Sequence, residues 1–123
     1  MTTVADLMTA DVLTVDQDTP LSQIARVLRA RDVGSAIVTD EGKLVGVISE
    51  RELVDSIAAG RNPDVGTAIM WMRQDFATAV PDMSVERAAE LMRESHVRHL
   101  PVVENEQLVG VISVSNLLAG SHA

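Results

Sequence analysis

Cysteine is absent from this 123-residue chain, which excludes a disulfide framework and thiol chemistry. Aromatic residues are nearly absent too. Trp71 and Phe76 are the two present, so the core must be built from Val, Leu, Ile, Ala and Met. No apolar run approaches the roughly 18 residues of a membrane span. The opening Met1-Thr2-Thr3-Val4-Ala5-Asp6 lacks the charged and apolar parts of a signal peptide. Positive charge is scarce: ten Lys and Arg stand against eighteen Asp and Glu, for a formal charge of −8. Nucleic-acid binding needs a cationic face, so this balance argues against it. What is abundant is aliphatic: 46% of the residues are hydrophobic, a globular composition at the usual length of a single domain. A soluble cytoplasmic protein with neither nucleic-acid nor membrane partners is the expectation.

The chain repeats itself. Leu44-Val45-Gly46-Val47-Ile48-Ser49 recurs letter for letter as Leu108-Val109-Gly110-Val111-Ile112-Ser113, 64 positions later. Residue i written over residue i+64 aligns the halves without a gap from Thr3/Thr67 to Leu53/Leu117, with 16 of 51 pairs identical. This is a tandem duplication. Two copies are too few for a solenoid, so the halves are expected to pack face to face about a pseudo-twofold axis.

Each copy predicts the same elements. A short helical turn (Val4 to Met8, Ala68 to Met72) leads into a brief strand near Val12–Val15 or Phe76–Val80. A helix follows, with Thr19 as N-cap and Pro20 at its first position in the first copy. Leu21, Ile24, Ala25 and Leu28 form its apolar stripe, matched by Val85, Ala88, Ala89 and Met92. Then come a strand (Ser35–Thr39, His99–Val103), a polar turn, the duplicated strand, and a last helix from Ser49 or Ser113. Asp40-Glu41-Gly42 is a good hairpin signal, whereas Glu104-Asn105-Glu106 lacks glycine and predicts a looser turn. Gly60 and Pro63 mark a linker over residues 59–64. Gly46 and Gly110 weaken their strands, so close approach by protein or ligand is expected there. Trp71 fits either a packed site or an exposed interface anchor.

This doubled pattern resembles a pair of CBS (cystathionine β-synthase) domains, the tandem unit called a Bateman module. The residues that carry the resemblance are Thr14-Val15-x-x-Asp18, Ile37-Val38 and Val45-Gly46-Val47-Ile48-Ser49. The second copy has Thr78-Ala79-Val80-Pro81-Asp82, Leu100-Pro101-Val102-Val103 and Val109-Gly110-Val111-Ile112-Ser113. The resemblance implies a mixed α+β fold, with CBS domain 1 over 1–60 and CBS domain 2 over 61–123. Each would be a βαββα unit, the two packed with pseudo-twofold symmetry around a cleft. It also implies frequent homodimers and adenosine-containing ligands such as AMP, ADP, ATP or S-adenosylmethionine. The length leaves no room for an attached enzyme or channel, so the chain resembles the stand-alone members.

Carried over position by position, the resemblance implies two candidate sites. In the second copy these are Thr78, His99, Leu100, Pro101, Ser113 and Asn116. Beside them the basic cluster His96, Arg98 and His99 is, in so acidic a chain, the best local candidate for holding a phosphate, through Arg98 or His99. The other reading of His96, Arg98 and His99 is a basic, solvated helix end. In the first copy they are Thr14, Ser35, Ala36, Ile37, Ser49 and Glu52. Glu52 departs from the family's Asp or Asn, and Ser49-x-x-Glu52 is a capping box that fills the helix start with the protein's own carboxylate. Gly34 and Ser35 replace Arg98 and His99. The first site is thus expected to be the weaker, and Asn116 to leave the second helix start open.

Two functions are carried forward. One is a regulatory sensor that binds an adenosine-containing metabolite and signals to an effector protein of unknown identity. The other is a ligand-free CBS scaffold acting as a dimerising interaction module. No Gly-rich phosphate loop, nucleophile with supporting residues or metal cluster stands out, so an enzyme is not expected, nor a required cofactor.

Overall fold

The computed structural model describes residues 1–120. In chain order its elements are α1 (Val4–Leu7), β1 (Thr14–Asp16), α2 (Leu21–Arg31), β2 (Ser35–Asp40), β3 (Lys43–Ser49) and α3 (Glu50–Ala58). The second repeat supplies α4 (Ala68–Trp71), α5 (Val85–Ser95), β4 (His99–Glu104), β5 (Gln107–Ser113) and α6 (Val114–Gly120). The fold is mixed α+β. By packing, the chain divides into two units that cut across the repeats: Leu13–Asp75, and Met1–Val12 together with the chain from Phe76 onward.

In the Leu13–Asp75 unit, β1 runs parallel to β2 and β2 is antiparallel to β3, with Ser35 opposite Ser49. The core beneath is Leu21, Ile24 and Leu28 of α2 with Ala36, Val38, Ile48 and Ala68, all buried. Trp71 and Met72 pack against it, which resolves Trp71 as a packed side chain. Ala25, expected in the α2 stripe, is exposed instead. The helix also starts one residue later than its sequence suggests. Pro20 is the N-cap and Thr19 caps nothing, because the first free helical N–H groups are met by backbone: Leu21 N–H donates to Gly66 O (2.9 Å) and Ser22 N–H to Pro63 O (2.9 Å). The linker thereby does the work of a capping side chain.

The other unit has the same plan. Buried Ala88 and Met92 of α5 pack with Leu100, Val102, Ile112, Ala79 and Val4. Here the helix has a side-chain cap, since Ser84 Oγ accepts from Arg87 N–H at 3.1 Å. Two expectations fail in this unit. The strand expected over Phe76–Val80 shrinks to one parallel bridge, Ala79 to Val102. The first repeat shows why. There Ile37 N–H donates to Leu13 O and Gln17 N–H to Thr39 O. The equivalent residues are Pro101 and Pro81, which have no N–H, so both terminal rungs of the ladder are lost. The second hairpin, conversely, is not looser. Asn105 and Glu106 take φ of 53° and 68°, as Glu41 and Gly42 take 51° and 83°. Both turns therefore have two residues of positive φ, the geometry that fits strand twist, and both hairpins share one register and one bulge. Tertiary pairing holds Glu106 where glycine would be at ease.

The lead-in helices explain the two strand glycines. In the Leu13–Asp75 unit, the segment after α4 lies across β3, with Arg73 N–H donating to Val47 O (2.8 Å) and Val47 N–H to Arg73 O (3.0 Å). In the other unit, Thr9 exchanges the same pair of bonds with Val111 of β5 at 2.9 Å each. A Cβ on Gly46 would collide with the Met72 thioether. One on Gly110 would lie 2.9 Å from both the Thr9 carbonyl and Met8 Sδ. Protein packing, not a ligand, occupies these places. Gly110→Ala is therefore expected to destabilise the protein by about 1–3 kcal/mol, the usual range for overpacking. Urea unfolding of the two proteins checks it, and equal midpoints would show that the lead-in is not tightly seated.

Candidate functional site

Each unit assembles the residues that the repeat pattern singles out. In the unit holding the second repeat, antiparallel pairing sets His99 opposite Ser113, and Val114 N–H donates to Arg98 O at 3.0 Å. The bridge at Ala79, whose N–H donates to Pro101 O (2.9 Å), brings Thr78 alongside Pro101. Leu100 and Pro101 are buried, Thr78, Ser113 and Asn116 half-buried, and Arg98 and His99 exposed. The Leu13–Asp75 unit builds the matching frame. Thr14 pairs with Ile37, Ser35 with Ser49, and Glu50 N–H donates to Gly34 O at 3.0 Å.

The helix starts are closed in both. Ser49 N–H and Oγ–H donate to Glu52 Oε1 at 2.7 and 2.9 Å, so the capping box forms, and Glu52 is only 5% exposed. The expectation that Asn116 leaves its helix open is corrected. Ser113 N–H and Oγ–H both donate to Asn116 Oδ1 at 2.9 Å, and Asn116 N–H returns a bond to Ser113 Oγ at 3.1 Å. An amide oxygen at the third helical position accepts as a carboxylate oxygen does. Ser-x-x-Asn has the spacing of Ser-x-x-Glu, and that was the signal available in the sequence. The two caps thus differ in charge rather than geometry: a buried carboxylate in one, a neutral amide in the other.

The His99 ring, though at the surface, is held below its ordinary pKa of 6.5, first by partial desolvation and second by the Arg98 charge. Arg98 turns toward a groove of about 520 Å³ between α5 and α6, which none of the other candidate residues lines. The first repeat has an equivalent groove of about 490 Å³ between α2 and α3. Among the described residues no three His, Cys, Asp or Glu gather as metal ligands, and no helix is long and apolar enough to cross a membrane.

The two repeats thus share a helix–hairpin–helix frame, with an outer strand in the first and a single bridge in its place in the second. The CBS domain family model matches residues 4–59 and again 65–122, so the chain belongs to the CBS domain family. It is 30% identical over 118 residues to the CBS domain-containing protein YhcV of Bacillus subtilis, covering 95% of this chain and 84% of that one. Among solved structures, Hypoxic Response Protein I with two coordinated zinc ions superposes with a TM-score of 0.89 at 28% identity, over 98% of this chain and 99% of the other. The CBS domain pair of protein MJ0100, solved with 5′-methylthioadenosine and S-adenosyl-L-methionine, superposes at 0.85 with 24% identity, over 100% and 99% of the two chains. CBS pairs are in general non-catalytic regulatory modules, and no enzyme family is indicated.

Two outcomes test the electrostatic and capping analysis. Because its folded pKa lies below the unfolded value, His99 favours folding fully above pH 6.5, and that contribution fades as pH falls through the folded pKa. NMR titration of the ring should give a midpoint below 6.5, and Arg98→Ala should move it upward. Asn116→Ala should cost about 1 kcal/mol as the Ser113 donors lose their acceptor, whereas Asn116→Asp keeps an acceptor and should cost less. Thermal melts of the two variants check the ranking, and equal losses would show that the cap contributes nothing.

Proposed function

We propose that the chain is a sensor that binds an adenosine-containing metabolite, of the AMP, ADP, ATP or S-adenosylmethionine type, at the second-repeat frame. The observation that carries this is the charge difference between two frames of equal geometry. In the second, Thr78, Ser113 and the neutral Asn116 offer hydroxyl and amide groups to a ribose, and the β4 backbone at Leu100 and Pro101 runs beside them, the Leu100 side chain itself lying in the core. His99, opposite Ser113 in the strand pair, is the basic group beside this frame for a phosphate or carboxylate, with Arg98 next to it on the side of the α5–α6 groove. In the first frame Thr14, Ala36 and Ile37 keep their places, but Glu52 brings a carboxylate and no cation stands at Gly34 or Ser35. That frame is the weaker site. The adenosine-type ligands in the MJ0100 complex support the ligand class. Binding acts by population shift: a ligand that prefers one arrangement of a homodimer raises its population, and an effector protein reads the change.

A second reading has its own support. Both helix starts are already capped by the protein's own side chains, and Val54, Ile57 and Leu118 are exposed apolar residues on α3 and α6. A ligand-free CBS scaffold for protein association would look the same.

Thermal shift with AMP, ADP, ATP and S-adenosylmethionine separates the two. A ligand at 100 times its Kd adds about 2.7 kcal/mol of stability, a rise of several degrees in Tm. The sensor reading expects such a rise with at least one of the four, reduced by Arg98→Ala and by Asn116→Asp. No rise with any of them leaves the scaffold.

A further inference from the structure

We propose that the lead-in of the first repeat, residues 2–5, positions the second-repeat ligand frame by holding the segment that carries Thr78. This deepens the sensor reading at that frame and rests on it. The two copies support this segment differently. In the first repeat, Thr14 sits in β1, which pairs along its length with Ile37, Val38 and Thr39 of β2. Two further rungs flank the strand, from Ile37 N–H to Leu13 O (3.1 Å) and from Gln17 N–H to Thr39 O (3.1 Å). The turn beyond is closed by Asp16 Oδ2, which accepts from Asp18 N–H at 2.9 Å. The second repeat has Pro101, Pro81 and Val80 at the positions that supply those three bonds. The prolines have no N–H and the valine no side-chain acceptor. On the β4 side, Thr78 is left with the single bridge at Ala79, whose N–H donates to Pro101 O and whose carbonyl accepts from Val103 N–H, both at 2.9 Å.

The lead-in grips the other side of the same segment. Ala5 N–H donates to Pro81 O (2.9 Å), Val4 N–H to Met83 O (2.8 Å), and Val85 N–H to Thr2 O (3.3 Å). The Val4 side chain, fully buried, anchors the lead-in in the core that holds Ala79 and Leu100. The same three bonds recur in the first repeat, from Ile69 to Gln17, Ala68 to Thr19 and Leu21 to Gly66, at 2.9, 3.0 and 2.9 Å. The clamp is thus common to both copies, whereas the ladder that backs it in the first is reduced to a bridge in the second. Undocking the lead-in therefore frees Thr78, while the equivalent loss in the first repeat leaves Thr14 in its strand. A hydroxyl already held in place costs less ordering when a ligand binds. Lead-in docking and ligand affinity are coupled in consequence, each raising the other. The site draws on both repeats: Thr78, Ser113 and Asn116 from the second, and the brace behind Thr78 from the first.

Amide hydrogen exchange of the full chain, with calorimetric titration of AMP, ADP, ATP and S-adenosylmethionine, tests this on the wild type and three variants. Ala5→Pro removes the bond to Pro81 O from the first turn of α1, where proline is tolerated and the Ala5 side chain is exposed. Ala5→Ser keeps the N–H, and Ile69→Pro makes the equivalent lesion at exposed Ile69 of α4. The net worth of one hydrogen bond is about fivefold in an equilibrium constant. Without ligand, Ala5→Pro is expected to speed exchange of the Ala79 and Val103 amides about fivefold relative to amides bonded between β4 and β5. Ile69→Pro should change the Ile37 and Gln17 amides less than about twofold, and Ala5→Ser should match wild type. Affinity for whichever of the four binds the wild type should fall about fivefold in Ala5→Pro and hold in the other two. Reciprocally, that ligand should slow exchange of the Val4 and Ala5 amides in the wild type, a measurement that needs no variant to fold. Equal loosening in the two repeats, or loosening that spreads evenly into the amides between β4 and β5, overturns the positioning role. Unchanged affinity in Ala5→Pro, or no slowing at Val4 and Ala5 in the wild type, overturns the coupling. If none of the four binds the wild type, the sensor reading falls and the coupling with it, while the ligand-free exchange comparison still upholds or overturns the brace.

Discussion

Two pairs of backbone hydrogen bonds, between Val47 and Arg73 and between Thr9 and Val111, hold each packing unit together. They require that the strand beneath have no side chain, and Gly46 and Gly110 meet that requirement. A strand normally loses stability at an internal glycine, so the residue is tolerated where backbone comes close. Because the segment that docks on β3 comes from the second repeat, and the one on β5 from the first, neither contiguous half of the chain contains a complete unit. The duplicated sequence folds by exchanging its lead-ins.

The regulatory reading depends on how duplication separates geometry from charge. The register of the strands, the bulge after Val38 and Val102, and the serine-led caps are common to both copies. The register and the bulge are backbone features and the caps rest on Ser49 and Ser113, all kept by the six identical residues and by positions of like size. Charge differs between the copies at Asp32/His96, Gly34/Arg98 and Glu52/Asn116, positions where the same backbone accepts either residue. Two copies of one frame with unlike charge can offer one good site instead of two.

Much of this was legible in the sequence, because a repeat in register reports element boundaries twice. The α2 and α5 stripes, both hairpins and the Ser49–Glu52 cap follow from spacing alone. What was not legible depended on distant partners. Thr19 reads as a cap, but the Gly66 and Pro63 carbonyls satisfy the helix before it can. Glu104-Asn105-Glu106 reads as a loose turn, but strand pairing on either side enforces the tight one. Asn116 reads as an open amide because a capping box is usually looked for as glutamate, although its oxygen accepts the same two bonds. The domain division at residues 60 and 61 describes the repeat; the packing units follow the lead-in exchange.

Pro81 and Pro101 also bear on the behaviour of the molecule in a crowded solution. On the β4 side away from β5, the first repeat's counterpart presents a continuous rung pattern through Ile37 and Thr39, while the second has a proline in place of one donor and a single bridge in place of a strand. A row of free N–H and C=O groups is a template for another chain's strand, and proline is a common means of spoiling it. The second repeat, whose β4 is largely buried and apolar, thus has an edge that offers a foreign strand few donors. The prolines that shortened its outer strand are of the kind that discourages edge-to-edge pairing.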